Sequence, residues 1–379
     1  MGIRREARRH TPCLFLGVAG IALFLGLGLV YWKTFLMRKN DIGLSQKPSI
    51  KSILLTPFSK ERRRVFVPGI LSLEKIFSQD HTWVSTLSAE RVRTLITTGD
   101  VILGRSVNFN TAKRNDFHWP FEKTAEILRA ENITFVNFEA PLIANCQPTI
   151  TGMVFCGDPR NIEGLLWSGV DVASLANNHM GNYGKTGIDE TIKLLNSNGI
   201  LVCGTGSMAT RDVSGLRFGF LGYNSIGQRE EGISWANKEK IVSEISELRK
   251  KADIVVVAFH WGVEYTSQPT ELQKELAHLA IDSGADLVLG NHPHWIQPVE
   301  LYKDKLIVYA HGNFVFDQMW SEKTREGVIG RYVFYDNKLV DVEFLPIVIE
   351  DYGQPNFPDS VKDQSILDSM REESIKLLQ

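Results

Sequence analysis

Between residues 93 and 349, short apolar runs alternate with longer amphipathic stretches. Five of the runs have the length and composition of buried strands, and polar residues follow each one directly. The runs cover residues 94–98, 133–136, 172–176, 254–259 and 287–290. Helical periodicity fills much of the sequence between them, as in 184–198, 238–251 and 271–283. This alternation predicts an α/β fold with a largely parallel sheet covered by helices.

The segments around this core predict the rest of the organisation. Residues 33–92 read as a polar spacer and a segment at the domain edge, and the domain itself is expected at 93–349. Within it, 330–349 alternates as a terminal antiparallel pair. Residues 350–379 are expected to form a C-terminal tail that carries a short amphipathic helix.

The N-terminus has the pattern of a membrane anchor. Residues 1–12 are basic, and 13–32 carry no charge. About 20 apolar residues cross a bilayer, and an Arg-rich flank usually stays in the cytoplasm. We therefore expect a single-pass protein of the cell membrane with its domain on the extracytoplasmic side. A cleaved signal segment is the alternative.

Charge and cysteine usage narrow the picture further. The chain has 379 residues and a formal net charge of −2, which argues against nucleic acid as a partner. Cys146 and Cys156 bracket a turn-rich insert, and outside the cytoplasm they are expected to form a disulfide. Two unpaired thiols are the alternative reading.

The polar residues after the predicted strands have the chemistry of metal ligands. Ligands of open α/β sheets bind outside the carboxyl ends of the strands. We therefore expect one edge of one sheet to gather Asp100, Glu139, Asn178, His179, His260, His292 and His294. Imidazole with carboxylate suits divalent Zn, Mn or Fe, and we expect two such ions.

Two histidines of this set are separated by a single residue. In extended backbone, positions i and i+2 point to the same face, so His292 and His294 are expected to reach one metal pair. His311 also follows an apolar run directly.

Four further residues are candidates for substrate binding: Arg105, Asn177, Glu264 and Asn313. Arg105 has the side chain for a bidentate contact with an anionic substrate, and a surface salt bridge is the alternative. Glu264 would instead orient a metal-bound histidine or lie on the surface. Asn177 otherwise belongs to a plain turn.

Six motifs in order resemble the CapA-type capsule biosynthesis family, also described as the poly-γ-glutamate synthesis proteins. The resemblance covers about residues 93–347. The motifs are Gly99-Asp100, Asn137-Phe138-Glu139, Asn177-Asn178-His179, His260-Trp261-Gly262-Val263-Glu264, Gly290-Asn291-His292-Pro293-His294 and Gly312-Asn313-Phe314. The family is related to the calcineurin-like metallophosphoesterases. This implies a two-sheet sandwich flanked by helices (α/β/β/α) with a dinuclear site.

The resemblance also implies roles for individual residues. The implied ligands are Asp100, Glu139, Asn178, His260, His292 and His294, and His179 would act beside the reacting group with Asn178. Two positions depart from the phosphoesterase pattern. Ile102 stands where an Asp-x-His motif has histidine, and Glu139 stands where an aspartate is usual.

The sequence therefore predicts a membrane-anchored, extracytoplasmic, metal-dependent hydrolase. Its expected substrate is an anionic polymer or a phosphorylated compound of the cell envelope, cleaved at a phosphoester or an amide. Other membrane proteins of capsule synthesis are expected partners. The alternative is a non-catalytic subunit that binds polymer in a capsule synthesis or export assembly.

Overall fold

Two β-sheets form the centre of the computed structural model, which describes residues 71–378. The larger sheet has seven strands in the described residues. In spatial order they are β15 (Gln354–Asn356), β14 (Lys338–Glu350), β13 (Glu326–Tyr335), β1 (Val92–Thr97), β3 (Ile133–Asn137), β4 (Val172–Ser174) and β5 (Leu201–Cys203). Strands β1, β3, β4 and β5 run parallel, and β13 pairs antiparallel with β1.

The second sheet has six strands in the same part of the chain. Their order is β10 (Val299–Tyr302), β11 (Lys305–Val308), β9 (Leu287–Asn291), β8 (Ile254–His260), β7 (Leu216–Asn224) and β6 (Ala209–Val213). The central four are parallel, and β10 and β6 form antiparallel edges. A short parallel pair, β2 (Asp100–Val101) and β12 (Asn313–Val315), lies apart from both sheets.

Nine α-helices are described in residues 71–378. They are α1 (Leu73–Ile76), α2 (Arg105–Arg114), α3 (Ala125–Arg129), α4 (Ile162–Trp167), α5 (Gly184–Ser197), α6 (Lys238–Arg249), α7 (Glu271–Asp282), α8 (Glu322–Arg325) and α9 (Ser360–Lys376). Short 3-10 turns occupy Thr82–Thr86, Ala89–Arg91, Trp119–Phe121, Pro159–Asn161 and Met180–Tyr183.

Strand β8 shows why the predicted strands are continuous apolar runs. Val256 packs between the sheets, whereas Val255 and Val257 pack against α6 and α7 on the opposite face. Successive side chains of a strand alternate between its faces, so a strand covered on both sides is apolar at every position. The same alternation in β1 sends Leu95 between the sheets and Ile96 towards the helices α2 to α5.

The core therefore has a layer between the two sheets and a further layer outside each sheet. The stacked rings of Phe135 and Phe220, with centroids 5.6 Å apart, join the sheets directly. Helices cover both outer faces, which gives the expected α/β/β/α order of layers.

Both ends of the described chain pack against the core. Ile366 and Met370 of α9 are buried in the layer between the sheets, and the Ser374 hydroxyl accepts a hydrogen bond from the Val299 amide at 3.0 Å. The segment predicted as a tail therefore forms part of the domain. No helix among residues 71–378 is long and apolar enough to cross a membrane. The predicted anchor at 13–32 lies outside the described residues.

Candidate metal centre

The candidate ligands meet at the carboxyl ends of strands from both sheets. Asp100 follows β1 and Glu139 follows β3 in the larger sheet, whereas His260 ends β8 in the second sheet. The prediction of a single sheet edge was therefore wrong. Because the two sheets stack with these strand ends on the same side, the cluster forms between the sheets. Each sheet supplies part of it.

Glu139, His260 and His292 form the most buried group of this cluster. One ligand atom from each of the three residues lies within 4.8 Å of the others. His260 Nε2 is 2.8 Å from Asn178 Oδ1 and 3.4 Å from Glu139 Oε1. The His260 and His292 rings have centroids 4.8 Å apart.

Two polar atoms of this group have no hydrogen-bond partner among the described residues: Glu139 Oε1 and His292 Nδ1. Leaving a buried polar atom unsatisfied costs about 1–3 kcal/mol. A divalent cation would satisfy both atoms, and imidazole with carboxylate is the donor set that Zn, Mn and Fe prefer. The residues present therefore fit a metal.

Asp100 and His294 form a second part of the cluster. Asp100 Oδ2 lies 3.1 Å from His294 Nδ1, and the same nitrogen lies 2.8 Å from Asn313 Oδ1. The Asn313 amide nitrogen donates to Gln318 Oε1 at 3.1 Å and to the Thr324 carbonyl at 2.8 Å, which fixes its oxygen towards His294. This buried side chain orients His294, and its predicted contact with substrate stays a prediction.

Asn137 links the two carboxylates, and the sequence reasoning gave it no role. Its amide nitrogen donates to Asp100 Oδ1 at 2.8 Å and to Glu139 Oε2 at 3.0 Å. The spacing of Asn137 from Glu139 in the sequence could have indicated this role. Asn137 and Glu139 are two residues apart at the end of β3, and such positions face the same side of a strand.

Burial and close charges shift the pKa values throughout the cluster. Burial raises the pKa of Glu139 well above its usual value, and the charge of Asp100 adds to this. Burial opposes ionisation of Asp100 as well, but the hydrogen bond with His294 brings its pKa to about 2. Although burial disfavours the His294 cation, Asp100 raises the pKa of His294 to about 9. Burial lowers the pKa of His260 to about 3 and that of His292 well below its usual value.

His292 and His294 do not lie in extended backbone, so the predicted reason for their shared face was wrong. Both have left-handed backbone, with φ of 99° and 58°. Their rings nevertheless lie 5.7 Å apart, because the chain turns sharply after β9. Strained backbone of this kind costs about 1–3 kcal/mol per residue and is concentrated at functional sites.

His179 lies at the edge of the cluster, where Phe155 stacks on it with centroids 4.1 Å apart. Asn182 Oδ1 lies 3.1 Å from His179 Nδ1 and also accepts a hydrogen bond from the Phe155 amide at 2.7 Å. Burial is the main reason that the pKa of His179 falls to about 4. The imidazole is therefore neutral at neutral pH. Neither Phe155 nor Asn182 was singled out from the sequence, since each depends on the fold of a loop.

Arg105 has a structural role, and its predicted contact with substrate stays a prediction. Its guanidinium is buried against the Asp317 carboxylate, with Nε 3.1 Å from both Asp317 oxygens. It also donates to the Gly152 carbonyl at 3.1 Å and lies over the rings of Phe155 and Phe316. The alternative of a surface salt bridge fails, since both partners are buried.

The Asn177 side chain likewise makes its hydrogen bonds within the protein. Its amide donates to the Phe138 carbonyl at 2.8 Å and to Asn137 Oδ1 at 3.3 Å. Its oxygen accepts from the Met180 amide at 2.8 Å. The side chain is wholly buried and shapes the loop that presents Asn178, and the predicted substrate contact stays a prediction.

A disulfide joins Cys146 and Cys156, whose Cα atoms lie 5.7 Å apart. The loop between them carries Phe155 onto His179 and exposes the apolar side chains of Ile150, Met153 and Val154. This loop therefore forms one wall of the site.

His311 belongs to the core beneath the site. Its Nδ1 lies 3.1 Å from the Gly290 carbonyl and its Nε2 lies 2.8 Å from the Tyr332 hydroxyl. Both ring nitrogens are engaged there, so His311 has no nitrogen left for a metal.

Glu264 approaches the cluster from the loop after β8. Its side chain is half-buried, and one of its ligand atoms lies within 4.8 Å of ligand atoms of His292 and His294. The arrangement therefore contains two overlapping groups of ligand atoms that share His292.

Residues 94–318, which include every candidate ligand, match the family described as bacterial capsule synthesis protein PGA_cap. The chain belongs to this family. It is 30% identical over 294 residues to the PGA biosynthesis protein CapA of Bacillus subtilis, covering 73% of this chain and 77% of that protein. It is 28% identical to the capsule biosynthesis protein CapA of Bacillus anthracis, covering 83% of each. The expected resemblance to CapA-type proteins is confirmed.

Among solved structures, a phosphatase of Mycoplasma pneumoniae is similar to this PGA_cap-family chain with a TM-score of 0.48 and 12% sequence identity. The similarity covers 72% of this chain and 96% of that one. At this level the similarity implies no shared activity.

Proposed function

We propose that this chain is a metal-dependent hydrolase that acts on an anionic polymer of the cell envelope. The observation that supports this most strongly is the buried group of Glu139, His260 and His292, in which two polar atoms have no partner among the described residues. Folding such atoms away from water is costly unless a ligand satisfies them. The names of the CapA relatives support a place in capsule or poly-γ-glutamate synthesis.

Asp100, Glu139, Asn178 and the three histidines 260, 292 and 294 are the side chains that would hold divalent metal. When bound, such ions lower the pKa of a water molecule and polarise the scissile phosphoryl or carbonyl group. Glu139 Oε1 has no partner among the described residues and is available to a metal ion. Asn137 donates a hydrogen bond to the other oxygen, Oε2, and holds it in place. The protein thus supplies a preorganised set of donors.

His179 is the candidate acid or base beside the reacting group. Its Nδ1 donates to Asn182 Oδ1, so the neutral ring presents an unprotonated Nε2. That nitrogen takes a proton from the attacking water and returns it to the leaving group. Phe155 covers one face of the ring and keeps water from it.

The activity is tested with the purified full-length chain, stripped of metal and then supplied with Mn or Zn. The substrates are a chromogenic phosphoester and a γ-linked glutamate oligomer. We expect hydrolysis of one of them, and a His179→Ala variant should lose about 10²–10⁴-fold in kcat while still binding metal. A metal-loaded protein that binds the oligomer but cleaves neither substrate would overturn the hydrolase and favour a polymer-binding subunit.

We also propose that residues 13–32 anchor the protein in the cell membrane with the domain outside the cytoplasm. The absence of charge in this segment and the Arg-rich flank before it support this orientation. Protease added to intact spheroplasts should then degrade the domain. Survival of the domain, while an extracytoplasmic control protein is cut, would show that the orientation is wrong.

A further inference from the structure

The two groups of ligand atoms in the cluster differ in their residues. The first group offers His260, His292 and Glu139, with Asn178 beside them. The second group joins Glu264 to His292 and His294, and Asp100 lies 3.1 Å from His294. Glu264 is the member that neither the sequence motifs nor the expected dinuclear site assigns as a ligand.

The local fold brings Glu264 to this place by a defined route. Gly262 has φ of 92°, and a side chain there would meet Gln273 at 2.6 Å, so glycine is required for the sharp turn. The Tyr265 amide then donates to the Pro293 carbonyl at 2.8 Å. This hydrogen bond ties the loop of Glu264 to the loop that carries His292 and His294.

The two loops joined by this hydrogen bond also contain strained backbone. Tyr265 has φ of 61°, and His292 and His294 on the facing loop are also left-handed. Non-glycine residues adopt this conformation at a cost of about 1–3 kcal/mol, which persists where the surroundings impose it. The chain thus places Glu264 beside the two histidines at the expense of strain in both loops.

Ile102 supplies no ligand to the second group. The related phosphoesterases carry histidine at that position, but Ile102 is wholly buried in an apolar cluster with Phe155 and Phe316. Asp100 and His294 therefore lack that imidazole as a partner. Glu264 approaches from the other sheet and offers a carboxylate instead.

The proximity is compatible with metal bonds. Bonds of about 2.0–2.2 Å place two ligands of one ion at most about 4.4 Å apart. A ligand atom of Glu264 lies within 4.8 Å of one of His294, so a side-chain movement of a few tenths of an ångström brings this pair within that limit.

We propose that Glu264 is a metal ligand that completes a second position with His294 and Asp100, beside the position of Glu139, His260 and His292. The proposal rests on the metal centre of the proposed function. The second position has more oxygen and less imidazole than the first. It is therefore the harder of the two and the one better suited to Mn²⁺.

The test is a metal titration of the purified full-length chain after chelator treatment, for wild type and Glu264→Gln. Calorimetry with Mn²⁺ gives the stoichiometry, and the visible spectrum of added Co²⁺ reports the coordination of each equivalent. We expect two equivalents for the wild type. In Glu264→Gln the first should be retained and the second weakened by at least about 100-fold, since changes outside the direct ligands already cost about 10–100-fold.

Glu271→Gln is the matched control, because Glu271 is exposed at the start of α7 and pairs only with Lys274 among the described residues. It should bind both equivalents as the wild type does. If Glu264→Gln melts at a lower temperature than this control, Glu264→Asp provides the same test. Aspartate keeps the negative charge, but its shorter side chain moves the carboxylate oxygens away from the metal position by about one carbon–carbon bond.

Two outcomes overturn this inference and leave the proposed function standing. One is a Glu264→Gln variant that binds the second equivalent as tightly as the wild type. The other is a wild type that binds a single equivalent. A wild type that binds neither Mn²⁺ nor Co²⁺ would instead overturn the metal-dependent hydrolase together with the inference.

Discussion

Replacement of Arg105 by methionine tests whether this residue supports the wall of the site or contacts substrate. The guanidinium and the Asp317 carboxylate are both more than 90% buried. Methionine has a similar length and removes the charge, which leaves the carboxylate without its partner. Breaking one side of a buried ion pair costs about 3–5 kcal/mol, because the remaining charge is uncompensated.

The double replacement Arg105→Met with Asp317→Leu separates the lost attraction from the stranded charge. It removes both charges and should recover much of the loss, with a coupling energy of about 2–3 kcal/mol. Urea unfolding followed by tryptophan fluorescence gives the free energy of unfolding for all variants. The eight tryptophans of the chain supply the signal.

Arg217→Met is the control, because the Arg217–Asp212 pair is exposed and should contribute less than about 1 kcal/mol. An Arg105→Met protein as stable as this control would refute the structural role. Weaker binding of an anionic substrate in the same protein would then restore the role that the sequence suggested.

Two other predictions concern stability. Replacing Cys146 and Cys156 by serine should lower the free energy of unfolding by about 3 kcal/mol in non-reducing urea titrations; an unchanged midpoint would show that the bond does not form. The second prediction concerns His81. Its partial burial lowers its pKa, but the hydrogen bond and ion pair with Asp341 outweigh this and raise the pKa above its usual value. The folded state thus binds the proton more tightly, so the advantage of wild type over His81→Gln, about 1 kcal/mol, should be full below pH 6.5 and vanish as pH rises through the raised pKa. An advantage that grows with pH would contradict this.

The strands that carry the site were predictable because they are covered on both faces. Val255, Val256 and Val257 of β8 all contribute to cores, so the sequence shows an uninterrupted apolar run that ends at a histidine. Short or edge strands lack this signal. The pairing of Asn313 with Asp100 in β12 and β2 depends on contacts between distant segments, which periodicity does not encode.

The side chains of the site divide in a similar way. Asp100 and His260 were identified as candidate ligands because each lies at the carboxyl end of a buried strand. Ligands of α/β sheets bind at these ends, and the chain direction shows where they are. The roles of Arg105 and Asn177 were not predictable in this way. Each depends on a partner from another part of the fold, such as Asp317 for Arg105, and a polar residue in a loop gives no sign of such a partner.

The metal content of the purified protein shows whether the buried cluster is a metal centre. Wild type, His292→Ala and His278→Ala are loaded with Mn or Zn, freed of unbound ions and measured by mass spectrometry. His278 lies on α7, where it pairs with Glu300 of β10 and stacks on Tyr302, away from the cluster, so its variant should retain metal as wild type does. We predict that His292→Ala retains less metal than wild type, with its fold intact. A wild type without metal, or a His292→Ala protein that binds it as well as wild type, would contradict the metal centre.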